Sequence, residues 1–122
     1  MEYAGQEKRR HPRINARFIV SYRILDKEDK VDITQTKNLS LGGMLITTNR
    51  KFEPGTNLLM EIRLPFDPQP TVIYGRVVES REIAKNLIYD THICFGHMEG
   101  RKTKVVIDTV DYYIHKKGKD SL

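Results

Sequence analysis

The sequence predicts an all-β fold with one helix: a small six-stranded antiparallel β-barrel followed by a C-terminal amphipathic α-helix. Three observations support this prediction. Apolar and polar residues alternate in several short segments, as they do in half-buried strands. Turn-forming residues separate these segments at short intervals. The last segment changes to the spacing of a helix, which indicates a helix packed on the surface or mouth of the barrel.

Six strands are predicted after a polar lead-in. The clearest is the fourth, in which Leu58, Met60, Ile62 and Leu64 alternate with Glu61 and Arg63. A charged run at 26–30 marks the turn after the first strand. In order, the predicted strands run from Phe18 to Ile24, from Val31 towards Asn38, from Met44 to Thr48, from Leu58 to Leu64, from Val72 to Arg81 and from Leu87 to Phe95.

The C-terminal segment is consistent with two structures. Its β-branched residues favour a strand, whereas Val106, Val110, Tyr113 and Ile114 fall on one face of a helix. Its length, its closing glycine and its lysines are also typical of a helix that ends there. The sequence therefore predicts a helix at about residues 103–117.

The chain is predicted to form one domain. At 122 residues it is long enough to bury a core, and Cys94 is its only cysteine, so no internal disulfide can form. Residues 1–13 are polar, so we expect a flexible arginine-rich arm ahead of a barrel domain at 14–118. No apolar run approaches the roughly 18 residues of a membrane span, and the start lacks the apolar core of a secretory signal. The expected location is the cytoplasm.

An arginine motif, Arg9-Arg10-His11-Pro12-Arg13, lies in this arm. The chain has a net charge of +5 with cations concentrated around the motif, which favours an anionic partner. A guanidinium group can bridge two phosphate oxygens and stack on a purine, and it pairs well with the guanine edge. Arg9 and Arg13 therefore suit a clamp on a nucleotide, with Arg10 as a third contact. The alternative is a solvent-exposed basic tail.

A second motif, an Asn-x-Ser-x-x-Gly at residues 38–43, follows the second predicted strand. Asn38 carries an amide that can pair with a guanine edge, and the Ser40 hydroxyl can both donate and accept. Gly42 and Gly43 allow a ligand to approach the backbone. The alternative is an ordinary turn between two strands.

Other groupings of reactive residues are weaker. His92, Cys94 and His97 resemble a metal-binding set, but no second cysteine closes a four-ligand site, so a partly buried strand explains them better. No nucleophile–base pair and no carboxylate pair lies within a motif. The sequence therefore predicts no metal, no cofactor and no catalysis. His11 is interpreted as a spacer or a supplementary contact.

The two motifs, in this order, resemble those of the PilZ domain family, the bacterial receptor domains for cyclic di-GMP. The lead-in at 7–14, the strand order and the terminal helix are also similar, so the resemblance covers nearly the whole chain. It implies that the arginine arm wraps over the ligand while the second motif holds a guanine on the barrel face. These roles would fall on Arg9, Arg13, Asn38, Ser40 and Gly43, with Arg10 and Gly42 as further contacts.

The resemblance leaves the remaining contacts open. The family pattern accepts Asn38 where many members have aspartate. Some relatives stack a tryptophan from a later strand on the ligand, whereas this chain has none. Tyr74, Arg76 or Arg81 could take that role. Lys8, the basic residue ahead of the arginines, would allow a second ligand molecule to bind.

The sequence therefore predicts a single-domain cyclic di-GMP receptor that transmits the state of its ligand to an unidentified downstream protein through ordering of its arm. Two alternatives remain. A basic β-barrel that binds single-stranded nucleic acid is disfavoured because the aromatic residues are scattered singly and form no stacking platform. A PilZ-like adaptor that acts without a ligand is disfavoured because both motifs are intact.

Overall fold

The structure, a computed structural model, describes residues 11–27 and 30–120. Within them, six antiparallel strands close into a barrel and one helix follows. The elements are β1 (Ile19–Ile24), β2 (Asp32–Leu39), β3 (Gly43–Thr48), β4 (Asn57–Ile62), β5 (Thr71–Ala84), β6 (Ile88–Phe95) and α1 (Gly100–Asp120). The predicted fold class is confirmed.

The strand order brings together segments that are distant in the sequence. Around the barrel the order is β1-β2-β3-β6-β5-β4, and β4 pairs with β1 to close it. The pairing of β3 with β6 sets Gly43 opposite Cys94 and Leu45 opposite His92. Residues from the two halves of the chain therefore share one surface.

Alternating apolar side chains fill the inside of the barrel. Val20 and Tyr22 on β1 lie opposite Ile62 and Met60 on β4, and all four are at most 2% exposed. Removing apolar surface from water stabilises the fold by about 25 cal/mol per Å², which is the main favourable contribution in a barrel of short strands. The buried residues of β4 are those that the alternating pattern predicted.

Thr36 ties the segment before β1 to β2. Its hydroxyl donates to the Ala16 carbonyl at 2.6 Å and accepts the Phe18 N–H at 2.9 Å. Thr36 is fully buried, so both bonds are shielded from water and hold the chain at the point where it enters the barrel.

The lead-in continues along the end of β2. Ile14 and Leu39 form a β-bridge through backbone hydrogen bonds of 2.9 and 3.0 Å, and both side chains are buried. Residues 11–13, the described part of the predicted arm, therefore lie beside the β2–β3 turn. Residues 1–10 of that arm lie outside the described part of the chain.

Helix α1 begins at Gly100 and ends at Asp120, so it is longer than the predicted 103–117. Tyr113 meets Phe18 edge-to-face, with ring centroids 5.5 Å apart. Ile114, which the helical spacing placed on the buried side, is 39% exposed. The buried face consists of Val105, Val106, Thr109 and Val110, and Tyr113 packs against the same core, so only Ile114 of the four predicted residues is misplaced. No helix in the described residues is long and apolar enough to span a membrane.

Candidate ligand-binding face

The turn between β2 and β3 is closed by the serine of the second motif. The Ser40 N–H donates to the Gly43 carbonyl at 2.9 Å, and the Ser40 hydroxyl accepts the Gly42 N–H at 3.1 Å. The hydroxyl also donates to the Gly43 carbonyl at 3.4 Å. Because Ser40 is only 8% exposed, a ligand would meet a hydroxyl that the turn has already oriented.

The two glycines of the motif have different neighbours. A Cβ on Gly43 would lie 2.2 Å from the Ile93 carbonyl oxygen, so β3 approaches β6 too closely there for any side chain. A Cβ on Gly42 would lie 3.2 Å from Cδ2 of His11. Gly43 is therefore required by the barrel itself, whereas Gly42 lets His11 pack over the turn.

A β-bulge directs Asn38 outward. The register between β2 and β3 shifts between Thr36 and Asn38, so that Lys37 and Asn38 both lie between the buried residues Thr36 and Leu39. The Lys37 ammonium binds the Asp90 carboxylate on β6 at 2.8 Å. This ion pair fixes the bulged residue, and the Asn38 amide next to it makes no hydrogen bond with another described side chain.

Outward residues of four strands form two rows beside this bulge. The first row consists, from β2 to β5, of Asn38, Leu45, His92 and Glu79. The second consists, from β3 to β5, of Gly43, Cys94 and Arg76. Neighbouring strands lie about 4.8 Å apart, so the rows span about 10 to 15 Å. We refer to these two rows, together with Arg13 and Ser40, as the outer face.

Arg13 lies at the edge of the outer face and influences its centre. Its neighbour Ile14 is buried against Leu39, whereas Arg13 is exposed. Burial lowers the pKa of His92 below the ordinary 6.5, the Arg13 charge lowers the pKa further, and the Glu79 charge raises it. Burial and the Arg13 charge therefore both favour the neutral form of the His92 imidazole. The charge of Arg13 in the N-terminal segment therefore acts on the His92 imidazole of β6.

The candidates for an additional ligand contact differ in position. Arg76 lies in the same row as Gly43. Arg81 lies opposite Asp90, farther along the strands from the turn. Tyr74 is 51% exposed on β5, two residues before Arg76. Arg76 and Tyr74 are therefore closer to the motif than Arg81.

The outer face is an open surface. Two concave regions of the barrel lie at its opposite end, one lined by Arg50, Phe52 and Thr56 and the other by Tyr22 and Thr48, among others. Neither includes a residue of the outer face.

The remaining predicted residues are placed as follows. The structure does not describe Lys8, Arg9 or Arg10. Among the described residues, Arg13 is the only arginine of the first motif. Histidine, cysteine and acidic side chains in the described residues form no group of three that could hold a metal ion. Sequence reasoning placed His92 and Cys94 on a partly buried strand, but it did not connect that strand with the motifs. That connection depends on the pairing register of β3 with β6, which the sequence pattern does not contain.

The fold and the described residues define a small closed β-barrel domain with one C-terminal helix, on which a polar turn and an exposed arginine lie side by side. The model of the PilZ domain family matches residues 7–109, and the chain belongs to that family. None of the curated proteins compared with this chain matches it.

Solved structures of low sequence identity share the fold. The inhibitor of motility MotI/DgrA of Bacillus subtilis superposes with a TM-score of 0.71 at 18% identity, over 93% of this chain and 53% of that one. The PilZ domain of YcgR from Escherichia coli, solved with c-di-GMP, superposes with a TM-score of 0.69 at 14% identity. The superposition covers 94% of this chain and 98% of the YcgR domain. MrkH in the K. pneumonia MrkH–c-di-GMP complex superposes with a TM-score of 0.66 at 15% identity, over 93% of this chain and 56% of MrkH. The chain therefore spans about half the length of MotI/DgrA and MrkH.

Proposed function

We propose that this chain is a receptor for cyclic di-GMP. The observation that carries the proposal is the convergence of Arg13, Asn38 and Ser40 on one open face from separate segments of the sequence. A guanidinium suits the phosphodiesters of such a dinucleotide, and an amide suits the edge of its guanines. The YcgR domain and MrkH, which share the fold, were solved with c-di-GMP.

In this proposal the ligand lies on the outer face between the arm and the strands. Arg13, with Arg9 and Arg10 from outside the described residues, binds the phosphates. Asn38 and Ser40 contact one guanine beside the turn. Leu45, half-buried in the first row, offers an apolar surface for the flat side of a base.

The proposed output is a change of surface. Binding orders the arm of residues 1–13 over the ligand and presents a new surface to a protein partner. This action takes place in the cytoplasm and includes no catalytic step. The partner is a separate protein or another copy of this chain.

Ligand selectivity tests the proposal directly. We expect a thermal-shift screen to raise the melting temperature with cyclic di-GMP and to leave it unchanged with GTP or a short single-stranded oligonucleotide. Mass action predicts a stabilisation of about 2.7 kcal/mol when the ligand is present at one hundred times its Kd. A shift with the oligonucleotide alone would instead support the nucleic-acid alternative.

Arg13→Ala is the sharpest single substitution. We expect it to weaken cyclic di-GMP binding at least tenfold in calorimetry, because it removes a charge-assisted phosphate contact of about 1.5 to 3 kcal/mol. Since Arg13 is exposed, the free energy of unfolding should change by less than about 0.5 kcal/mol. Arg63→Ala, which removes an exposed arginine after β4, is the matched control. Unchanged affinity in Arg13→Ala would contradict the proposed mode of binding.

A further inference from the structure

His92 occupies the middle of the outer face but belongs to neither motif. It lies on β6 between Leu45 on β3 and Glu79 on β5, and it is half-buried. Its ring makes no hydrogen bond with any other described residue. A half-buried imidazole whose polar atoms have no partner is available to a molecule that binds on this face.

The charged groups around His92 come from the N-terminal segment and from strands β2, β5 and β6. Arg13 approaches from the N-terminal segment and Glu79 from β5. On the same side of β6, Cys94 and Asp90 flank it, and Asp90 is engaged by Lys37. On β5, Arg76 and Arg81 lie opposite Cys94 and Asp90. From β3 the nearest residues in register are uncharged: Gly43, Leu45 and Thr47.

The Arg13 charge disfavours a proton on His92 in the free protein. A phosphodiester paired with Arg13 would reverse that influence, because it adds a negative charge inside the same environment. The span of the first row is about 10 Å from Asn38 to His92, or two strand spacings. A dinucleotide that contacts Asn38 with one base and Arg13 with a phosphate therefore lies within reach of His92.

We propose that His92 is a further ligand-contacting residue of this site, which donates a hydrogen bond to a phosphodiester and takes up a proton when the nucleotide binds. This inference depends on the proposed function. It predicts an affinity that rises as the pH falls, since the complex binds more protons than the free protein.

The sign of the pH dependence follows from the charges. In the free protein the pKa of His92 lies below 6.5, and the bound phosphate raises it. A rise of one unit makes the affinity up to about tenfold tighter once the pH lies below the free value. Calorimetry with cyclic di-GMP at about pH 7.5 and about pH 5.5 measures this change.

Two variants assign the effect to one imidazole. We expect His92→Gln to abolish the pH dependence while it retains binding at about pH 7.5. His115→Gln is the matched control, because His115 is an exposed imidazole on α1 and does not belong to the outer face, and it should keep the wild-type dependence. An NMR titration of the His92 ring in the wild-type protein, with and without nucleotide, tests the proton uptake without any substitution.

The outcomes distinguish this inference from the proposed function. Absence of cyclic di-GMP binding at both pH values would overturn the proposed function and this inference with it. Binding with a pH dependence that persists in His92→Gln, or a His92 ring whose titration the nucleotide leaves unchanged, would overturn only the assignment of His92.

Discussion

Gly43 has a structural requirement that is independent of any ligand. Its missing side chain is what allows β3 to pair with β6, because the Ile93 carbonyl oxygen occupies the space that a Cβ would need. Ser40, three residues earlier, uses its hydroxyl and its N–H to close the turn. The second motif therefore shapes the outer face as well as contributing groups to it.

Gly43→Ala should destabilise the barrel. Because the steric conflict is with backbone, which cannot rotate away, we expect a loss of about 2 kcal/mol or more in the free energy of unfolding, measured by urea denaturation. Gly100→Ala is the control, since a Cβ there meets no atom within 4 Å, and it should be neutral or slightly stabilising. Equal stability of the two variants would contradict the close approach of β3 and β6.

A carboxylate in the loop between β4 and β5 joins the barrel to the helix. Asp67, between β4 and β5, accepts the Gln69 N–H at 3.0 Å and the Thr71 hydroxyl at 2.9 Å. The same carboxylate lies 3.6 Å from the Arg101 guanidinium at the start of α1. One side chain thus connects the loop, the first residue of β5 and the helix.

Asp67 makes stability depend on acid pH. The Gln69 N–H, followed by Thr71 and Arg101, lowers the pKa of this carboxyl below the ordinary 3.8. A lowered pKa stabilises the fold above the unfolded value, and that contribution is lost as the pH falls through the folded value. We therefore expect Asp67→Asn to be less stable than wild type at neutral pH and to lose less stability between about pH 5 and about pH 3.

Urea denaturation at several pH values measures this effect. Asp111→Asn controls for the loss of one negative charge, because Asp111 is exposed on α1. It should retain the wild-type acid dependence. Parallel curves for Asp67→Asn and wild type would show that Asp67 does not contribute to the acid response.

The whole molecule depends on closure of the barrel. Every strand pairs with a neighbour on each side, and α1 packs against the same core through Val106 and the Phe18–Tyr113 contact. No strand of the described chain is left with a free edge along its full length. The outer face spans β2, β3, β6 and β5, so its geometry exists only when the barrel is closed.

Unfolding should consequently be cooperative. We expect the far-UV circular dichroism of α1 and the fluorescence of the buried Tyr22 and its neighbours to report one transition with the same midpoint in denaturant. The reason is that helix and barrel share one hydrophobic cluster. A separate, earlier transition of the helix would show that α1 is only loosely attached.

The local features of this protein follow from its amino-acid sequence alone. Alternation predicted the strands, because a half-buried strand must place every second residue inside. Turn chemistry is equally local: Gly55 and Asn86 both adopt positive φ, of 92° and 58°, which glycine and asparagine tolerate well. The two motifs, and the family resemblance that they carry, likewise needed only neighbouring residues.

The composition of the outer face, in contrast, depends on how the strands pair. The bulge at Lys37 depends on the partner strand β3 and on Asp90 of β6, the strand beyond β3. The position of His92 near Arg13 depends on the pairing of β3 with β6. Strand pairing is a long-range property, since a strand pattern fixes which side chains point outward but not which strand lies alongside. The helix boundary and its buried face were decided in the same way, by the contacts that the barrel offers to α1.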